Sequence, residues 1–180
     1  MDENNFEIIK RSLGNVIYTQ KTQEMATIRN ESYTTWIKIG NMFFVASIFI
    51  ALFLQIFNPN ERIYLYMGIG VTVLEVLFLI FQLSFNSEQE AFKHKNTANR
   101  LWLMREKHLN LLTDIKNEKL STKIISEKRD ALTQDLSHIY ENAPQTNSED
   151  YSKAEKALNG NEKPRADDEE MDNFLPDNLK

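Results

Sequence analysis

The sequence predicts an all-α protein that contains a two-transmembrane helical hairpin with N- and C-terminal cytoplasmic amphipathic helices. Two apolar runs, Ile37 to Phe57 and Ile63 to Phe85, hold 21 and 23 residues and are separated by the five polar residues 58–62. About 20 apolar residues in a helix cross a hydrocarbon core of about 30 Å, so both runs are long enough to span a membrane. Outside them, apolar residues recur at three-to-four spacing, and strand-like alternation is missing from the sequence.

The segment before the hairpin, residues 1–36, carries apolar residues such as Phe6, Ile9 and Leu13 at helical spacing. It predicts one amphipathic helix, or a pair of helices with a bend at Gly14. The hairpin itself is assigned to residues 37–85.

The segment after the hairpin, residues 86–158, predicts a C-terminal helical region. Ser87 followed by Glu90 resembles a capping box and predicts a helix over about 87–117, either separate from the second span or continuous with it. A second helix is expected over about 121–141, and Ser148 is expected to cap a short third one.

The last segment, residues 159–180, is an acidic tail with an apolar pair, Phe174 and Leu175, near its end. Its composition is typical of a disordered segment. The alternative is that Phe174 and Leu175 dock on a partner or on the helices of the same chain.

Composition argues against several function classes. The chain has 180 residues, a net charge of -5 and no cysteine, which excludes disulfides, thiolate metal sites and cysteine nucleophiles. The three histidines, His94, His108 and His138, stand alone without the paired spacing of a metal site. We therefore expect no catalytic residues, no metal, no cofactor and no enzyme activity, and we expect no DNA or RNA binding.

The distribution of cations predicts the orientation of the hairpin. Two spans place both termini on one side of the membrane, and cations such as Lys21, Arg29, Lys38 and Lys93 flank the hairpin on that side, whereas the loop has only Arg62. By the positive-inside rule, both termini lie in the cytoplasm and the protein is a multi-pass protein of the inner membrane.

The second span carries one acid, Glu75, at its middle. On a helical wheel the residues close to it form a polar stripe: Gly68, Thr72, Glu75, Leu79, Gln82 and Asn86. A carboxylate at bilayer depth costs about 2.5 kcal/mol or more, so it faces protein or water rather than lipid. The stripe either lines an aqueous path in an oligomer, open or packed shut at rest, or is the packing seam between helices.

Three stretches outside the spans are distinctive: residues 18–24 before the hairpin (YTQKTQE), residues 94–107 after it (HKNTANRLWLMREK) and residues 139–144 (IYENAP). Together with the end motif at 170–176, they resemble the SLATT family, the SMODS- and SLOG-associating two-transmembrane effector domains. The chain departs from the family pattern at Gln23, where a histidine is common.

The resemblance implies a bacterial membrane effector of anti-phage defence that works beside a nucleotide-second-messenger synthetase, or responds to its product, and forms pores that kill or arrest the infected cell by abortive infection. It also marks a basic region as the candidate for sensing a ligand or signal, namely Tyr18, Lys21, His94, Lys95, Arg100 and Arg105. The alternative for these cations is contact with anionic lipid headgroups.

The favoured function is accordingly an oligomeric pore that depolarises or permeabilises the inner membrane. The alternative is a non-conducting, membrane-anchored scaffold that recruits a cytoplasmic partner. The lipid bilayer and further copies of the chain are the expected partners, together with the nucleotide or its synthetase.

Overall fold

The protein consists of helices connected by short loops. A computed structural model describes residues 3–160, and within them it contains no strand. The helices are α1 (Glu3–Phe57), α2 (Ile63–Ser84), α3 (Ser87–Lys116), α4 (Thr122–Glu141) and α5 (Ser148–Asn159). The predicted all-α fold with two long apolar helices is confirmed.

The chain divides into two compact units. The hairpin comprises Asn30–Glu90, and the bundle comprises the described residues of 1–29 and 91–160. Helix α1 contributes to both units because it runs without interruption from Glu3 to Phe57.

The hairpin consists of the apolar part of α1, the loop 58–62 and α2. Of the most apolar 18-residue window of each of its two helices, only 6% and 11% of the residues are buried. Large side chains such as Phe49, Ile56 and Leu83 are 68%, 74% and 84% exposed. A core helix of a soluble protein would bury such side chains, whereas lipid tails solvate them in a membrane span.

The bundle has a hydrophobic core formed by the N-terminal part of α1 with α3, α4 and α5. Helical spacing places the apolar residues of each helix on one face, and these faces meet. The core includes Ile9, Leu13, Val16, Ile17, Leu101, Met104, Leu111, Leu112, Ile115, Ile125, Leu132, Leu136, Ile139 and Leu158.

At two positions the helices continue or end differently from what the sequence suggests. Helix α1 continues through Gly14, which is buried within the bundle. Conversely, α2 ends at Ser84 and α3 begins at Ser87, so the second span and the following helix are separate. At the junction the backbone N–H of Phe85 bonds to the Gln82 carbonyl at 3.1 Å, and Phe85 has a non-helical conformation.

Two helix caps lie one residue earlier than expected. The Asn86 side chain accepts a hydrogen bond from the Gln89 N–H at 3.1 Å and caps α3. Asn147, rather than Ser148, caps α5 in a reciprocal capping box with Asp150. In both places the asparagine side-chain oxygen bonds to the N–H three residues later, as N-cap residues do.

Candidate functional site

The two spans of the hairpin meet along a seam that contains part of the predicted stripe. Gly68 and Glu75 are the buried residues of α2. A Cβ atom added to Gly68 would lie 3.5 Å from the Ala51 Cβ, so the helices pack closely at this level. Three residues of α2 lie at intervals of seven, namely Gly68, Glu75 and Gln82. Seven residues are about 10.5 Å along a helix and bring the side chain back to nearly the same face.

The end of the seam far from the loop is closed by a polar and an aromatic contact. The Asn41 side-chain N–H donates to the Gln82 side-chain oxygen at 2.8 Å. Next to it, a Cβ atom added to Gly40 would lie 3.1 Å from the Phe78 ring, and the rings of Phe44 and Phe78 are 5.5 Å apart. Glu75 therefore lies midway between the Ala51–Gly68 contact and the Asn41–Gln82 hydrogen bond.

Three buried oxygen atoms of the hairpin lack a hydrogen-bond donor within the described residues. They are Asn41 Oδ1, Gln55 Oε1 and Glu75 Oε2, and the Glu75 residue is only 8% exposed. Each such atom costs about 1–3 kcal/mol unless it receives a donor. Asn41 and Gln55 are 14 residues apart on α1, or about 21 Å at the helical rise.

These oxygens share one chemical property. Carboxylate and amide oxygens accept hydrogen bonds from water and bind hard cations, and they repel anions. Three of them at different depths make the seam a set of acceptors that suits cations or water.

The remaining residues of the predicted stripe lie in different surroundings. The Thr72 hydroxyl donates to the Gly68 carbonyl of its own helix at 2.8 Å, and Leu79 is 41% exposed. Asn86 lies beyond the end of α2 and caps α3, so the helical wheel of α2 does not extend to it. The structure thus brings Gly68, Glu75 and Gln82 to the seam, and Thr72 lines a cavity between the two spans beside Gly68. Leu79 is exposed, and Asn86 lies outside α2.

The bundle contains a buried ion pair that ties α5 to α1. Arg29 Nε and Nη2 donate to the two carboxylate oxygens of Asp150 at 2.8 and 3.0 Å, and Asp150 is 0% exposed. Burial by itself raises the pKa of Asp150. The Arg29 and Asn147 hydrogen bonds and the charges of Arg29 and His94 outweigh it, so the pKa lies below its usual value.

A second buried link joins α1 to α3 and to the segment before α5. Gln23 Nε2 donates to the Pro144 carbonyl at 3.1 Å, and Gln23 Oε1 lies 2.6 Å from His94 Nδ1. Because the Gln23 oxygen only accepts, His94 Nδ1 carries the hydrogen. His94 is 2% exposed, so this predicted sensing residue is part of the interior.

His108 is the other buried histidine of the bundle. Its Nδ1 lies 2.7 Å from the Met104 carbonyl, which makes Nδ1 the donor, and its Nε2 then accepts from the Ser12 hydroxyl at 3.0 Å. Burial lowers the pKa of His108, although the bond to Met104 acts in the opposite direction. The neutral imidazole is therefore the form that this site holds.

The other predicted sensing residues are spread over two helices. Tyr18 stacks on Tyr151 with ring centroids 6.4 Å apart, and Lys21 pairs with Glu24 at 3.3 Å. Lys95 and Arg100 are exposed on α3.

Arg105, the last of that set, is partly buried. Its Nε atom is buried, has no hydrogen-bond partner among the described residues and lies 4.0 Å from a Glu106 oxygen. Phe174 and Leu175, the predicted docking pair, fall outside the described residues. Among the residues that are described, no cluster of His, Asp and Glu is suited to a metal ion.

Sequence patterns missed the most completely bonded residues of the bundle. Arg29 and Asp150 are 121 positions apart, as are Gln23 and Pro144, so no local spacing connects them. A partial signal was present, because Asn147 and Asp150 have the spacing of a capping box.

The fold and the seam define a class: an α-helical membrane protein with two spans and a helical bundle. Residues 6–170 match the model of the SMODS and SLOG-associating 2TM effector domain family 4. The chain belongs to this family, a SLATT family of two-transmembrane effector domains linked to defence systems, which confirms the resemblance drawn from the sequence. No curated protein and no solved structure matches the chain.

Proposed function

We propose that this protein is a bacterial membrane effector of nucleotide-signalled anti-phage defence that opens a cation-conducting path when its hairpins assemble. The observation that carries the proposal is Glu75, a mid-span acid that is 8% exposed and has a buried oxygen for which residues 3–160 provide no donor. An acid is expensive at this depth, and intramembrane acids most often mark ion or proton pathways.

The arrangement of the seam corresponds to a closed state of such a path. Glu75 lies between the close contact at Gly68 and the Asn41–Gln82 hydrogen bond. If the spans part or rotate in an oligomer, the carboxylate meets water and the carboxylates of neighbouring copies form a ring. Rings of acidic side chains select cations.

The proposed orientation puts the activating signal on the side of the bundle. Cations flank the hairpin at its terminal side, and the loop 58–62 carries only Arg62, so we place both termini in the cytoplasm. A nucleotide second messenger, or the synthetase that makes it, then acts on the bundle and shifts the population of closed hairpins towards open ones. The family name, which pairs the effector with SMODS and SLOG, supports such a partner.

The test is membrane potential in cells that express the full chain together with the neighbouring nucleotide synthetase, and ion flux in proteoliposomes to which the product of that synthetase is added. We expect the wild type to dissipate a potassium gradient and to pass chloride poorly, and we expect Glu75→Leu to abolish the flux. Glu75→Asp keeps the charge and should retain it. The matched control is Glu61→Gln, because Glu61 is an exposed acid of the loop.

Two outcomes would contradict the proposal. One is a Glu75→Leu variant that depolarises cells as the wild type does. The other is a detergent-solubilised protein that remains a dimer at most under the conditions in which cells are killed, since a dimer offers too few helices to line a path.

The scaffold alternative is favoured by a different surface. Helix α3 exposes three large apolar side chains in the bundle, Phe92 at 70%, Trp102 at 52% and Leu103 at 52%. Exposed apolar patches often bind other proteins. If Phe92→Asp or Trp102→Asp removes toxicity while Glu75→Leu keeps it, the anchored scaffold is the better description.

A further inference from the structure

A cavity of about 180 Å³ opens at the end of the hairpin far from the loop. It is bounded by α1, by the end of α2 and by the start of α3, all within the hairpin. A single water molecule requires a cavity of about 10–15 Å³, so this cavity has room for a larger group.

The polar wall of the cavity carries one charge of each sign. Lys38 and Glu88 both line it, and within the described residues neither forms an ion pair. The hydroxyls of Thr34 and Ser87, which also line it, are 3.0 Å apart. A ligand that satisfies both charges has an anionic group and a cationic group.

Three of the first four amides of α3 already have acceptors. The Gln89 N–H bonds to the Asn86 side chain at 3.1 Å, and the Ser87 N–H bonds to the Phe85 carbonyl at 2.9 Å. The Glu90 N–H bonds to the Asn86 carbonyl at 3.1 Å. Lys38 lines the cavity and carries a positive charge, so it is the group that we assign to an anion here.

The apolar wall places the cavity at the edge of the membrane. Ile37 begins the first apolar run and Phe85 ends the second, and both line the cavity together with Leu83. Leu83 and Phe85 are 84% and 59% exposed. A molecule that fits carries its charges at this level and extends apolar chains along the spans.

We propose that this cavity binds the headgroup of a zwitterionic phospholipid with a primary ammonium group, such as phosphatidylethanolamine. Its phosphate pairs with Lys38, and its ammonium donates hydrogen bonds to Glu88. A choline headgroup has no N–H to donate, and a glycerol headgroup has no positive charge. The site should therefore distinguish lipids by the amine and not by net charge, and it depends only on the membrane location of the hairpin.

Binding is measured by native mass spectrometry of the full-length protein in detergent with phosphatidylethanolamine, phosphatidylcholine or phosphatidylglycerol at equal concentrations. We expect phosphatidylethanolamine to bind about tenfold more tightly than phosphatidylcholine, as one charge-assisted hydrogen bond predicts. Glu88→Gln should remove this preference, and Lys38→Ala should weaken both lipids. Arg62→Ala is the matched control, because it removes a cation at the loop end of the hairpin.

Three results would overturn the proposal. Equal binding of phosphatidylethanolamine and phosphatidylcholine to the wild type would show that the amine is not recognised. Strongest binding of phosphatidylglycerol would show a simple anion site at Lys38. If soluble phosphoethanolamine bound as tightly as the lipid, the apolar wall would contribute nothing and the ligand would not be a membrane lipid.

Discussion

Asp150 in the bundle and Glu75 in the hairpin are both buried acids, 0% and 8% exposed, but their surroundings differ. The Asp150 carboxylate receives two hydrogen bonds from Arg29 and one from the backbone N–H of Asn147. Glu75 Oε2 has no donor within the described residues. A buried carboxylate with donors on both oxygens links the helices that it joins, whereas a buried oxygen without a donor costs free energy that exposure to water would recover.

The same contrast extends to the amides of the two units. In the bundle, both polar atoms of the Gln23 side chain have partners, Pro144 and His94. In the hairpin, Asn41 Oδ1 and Gln55 Oε1 have no partner in the part of the chain that the structure describes. Among the described residues, three of the four buried side-chain atoms without a hydrogen-bond partner thus lie in the hairpin, and the fourth, Arg105 Nε, lies in the bundle.

The largest expected effect is on the bundle. Asp150→Ala should lower the free energy of unfolding of the bundle by about 3–5 kcal/mol, because it leaves a mostly buried guanidinium without its carboxylate. Trp102 fluorescence during denaturant unfolding measures it in full-length protein with Trp36→Phe, so that the remaining tryptophan lies in the bundle. Asp135→Ala is the control, since its pair with Lys107 is about half exposed, and it should cost at most about 1 kcal/mol.

Removing the buried acid of the hairpin should change stability in the opposite direction. Glu75→Leu should raise the resistance of the hairpin to unfolding by about 1–3 kcal/mol, because it removes a buried oxygen that has no donor. Unfolding in sodium dodecyl sulfate, followed by Trp36 fluorescence in a Trp102→Phe background, measures it. Glu61→Leu in the loop is the control, and a loss of stability in Glu75→Leu would mean that the acid is bonded after all.

A substitution at a packed contact of the seam should change the stability of the hairpin by a similar or smaller amount. Gly40→Leu should destabilise the hairpin by about 1–3 kcal/mol, because even a Cβ atom there would lie 3.1 Å from Phe78. Gly70→Leu makes the same change on α2 where nothing lies within 4 Å of the added Cβ, so it should shift stability by less than about 0.5 kcal/mol. The same fluorescence assay compares them, and equal effects would show that Gly40 is not at a packed contact.

The smallest expected effect is the dependence of the stability of the bundle on pH. Burial lowers the pKa of His108, so below its ordinary value of about 6.5 the unfolded chain binds a proton that the folded bundle does not. The stability that neutral His108 provides is present above this pH and is lost as the pH falls towards the lower pKa of the folded state, with a slope of at most about 1.4 kcal/mol per pH unit.

Trp102 fluorescence between pH 5 and 7.5 measures this slope. His108→Gln should flatten it, and His138→Gln, which changes an exposed histidine of α4, should leave the wild-type profile. An unchanged slope in His108→Gln would assign the pH dependence to other groups.

The sequence was sufficient to predict the helices, but it did not predict which residues of different helices contact each other. The lengths of the apolar runs predicted the spans, and helical spacing placed the later helices within one or two residues of Ser87–Lys116 and Thr122–Glu141. Periodicity reports only the face that each helix buries, so it identified Gly68, Glu75 and Gln82 as one face of α2 but not which residues lie opposite them.

Local backbone breaks were less predictable. Gly14 suggested a bend, yet it lies within an uninterrupted helix because its face of α1 is buried by the bundle core. The end of α2 at Ser84 had no glycine or proline to mark it. Contacts between residues 121 positions apart, such as Arg29 with Asp150, depend on the packing of whole helices and leave no local pattern.

The shortest element of the hairpin is the loop between Phe57 and Ile63. Five residues, Asn58 to Arg62, separate the two spans. In the orientation proposed above, an antibody, a protease or a labelling reagent applied on the side of this loop meets one short epitope of the described residues. A tag inserted in the loop would therefore report the orientation of the hairpin.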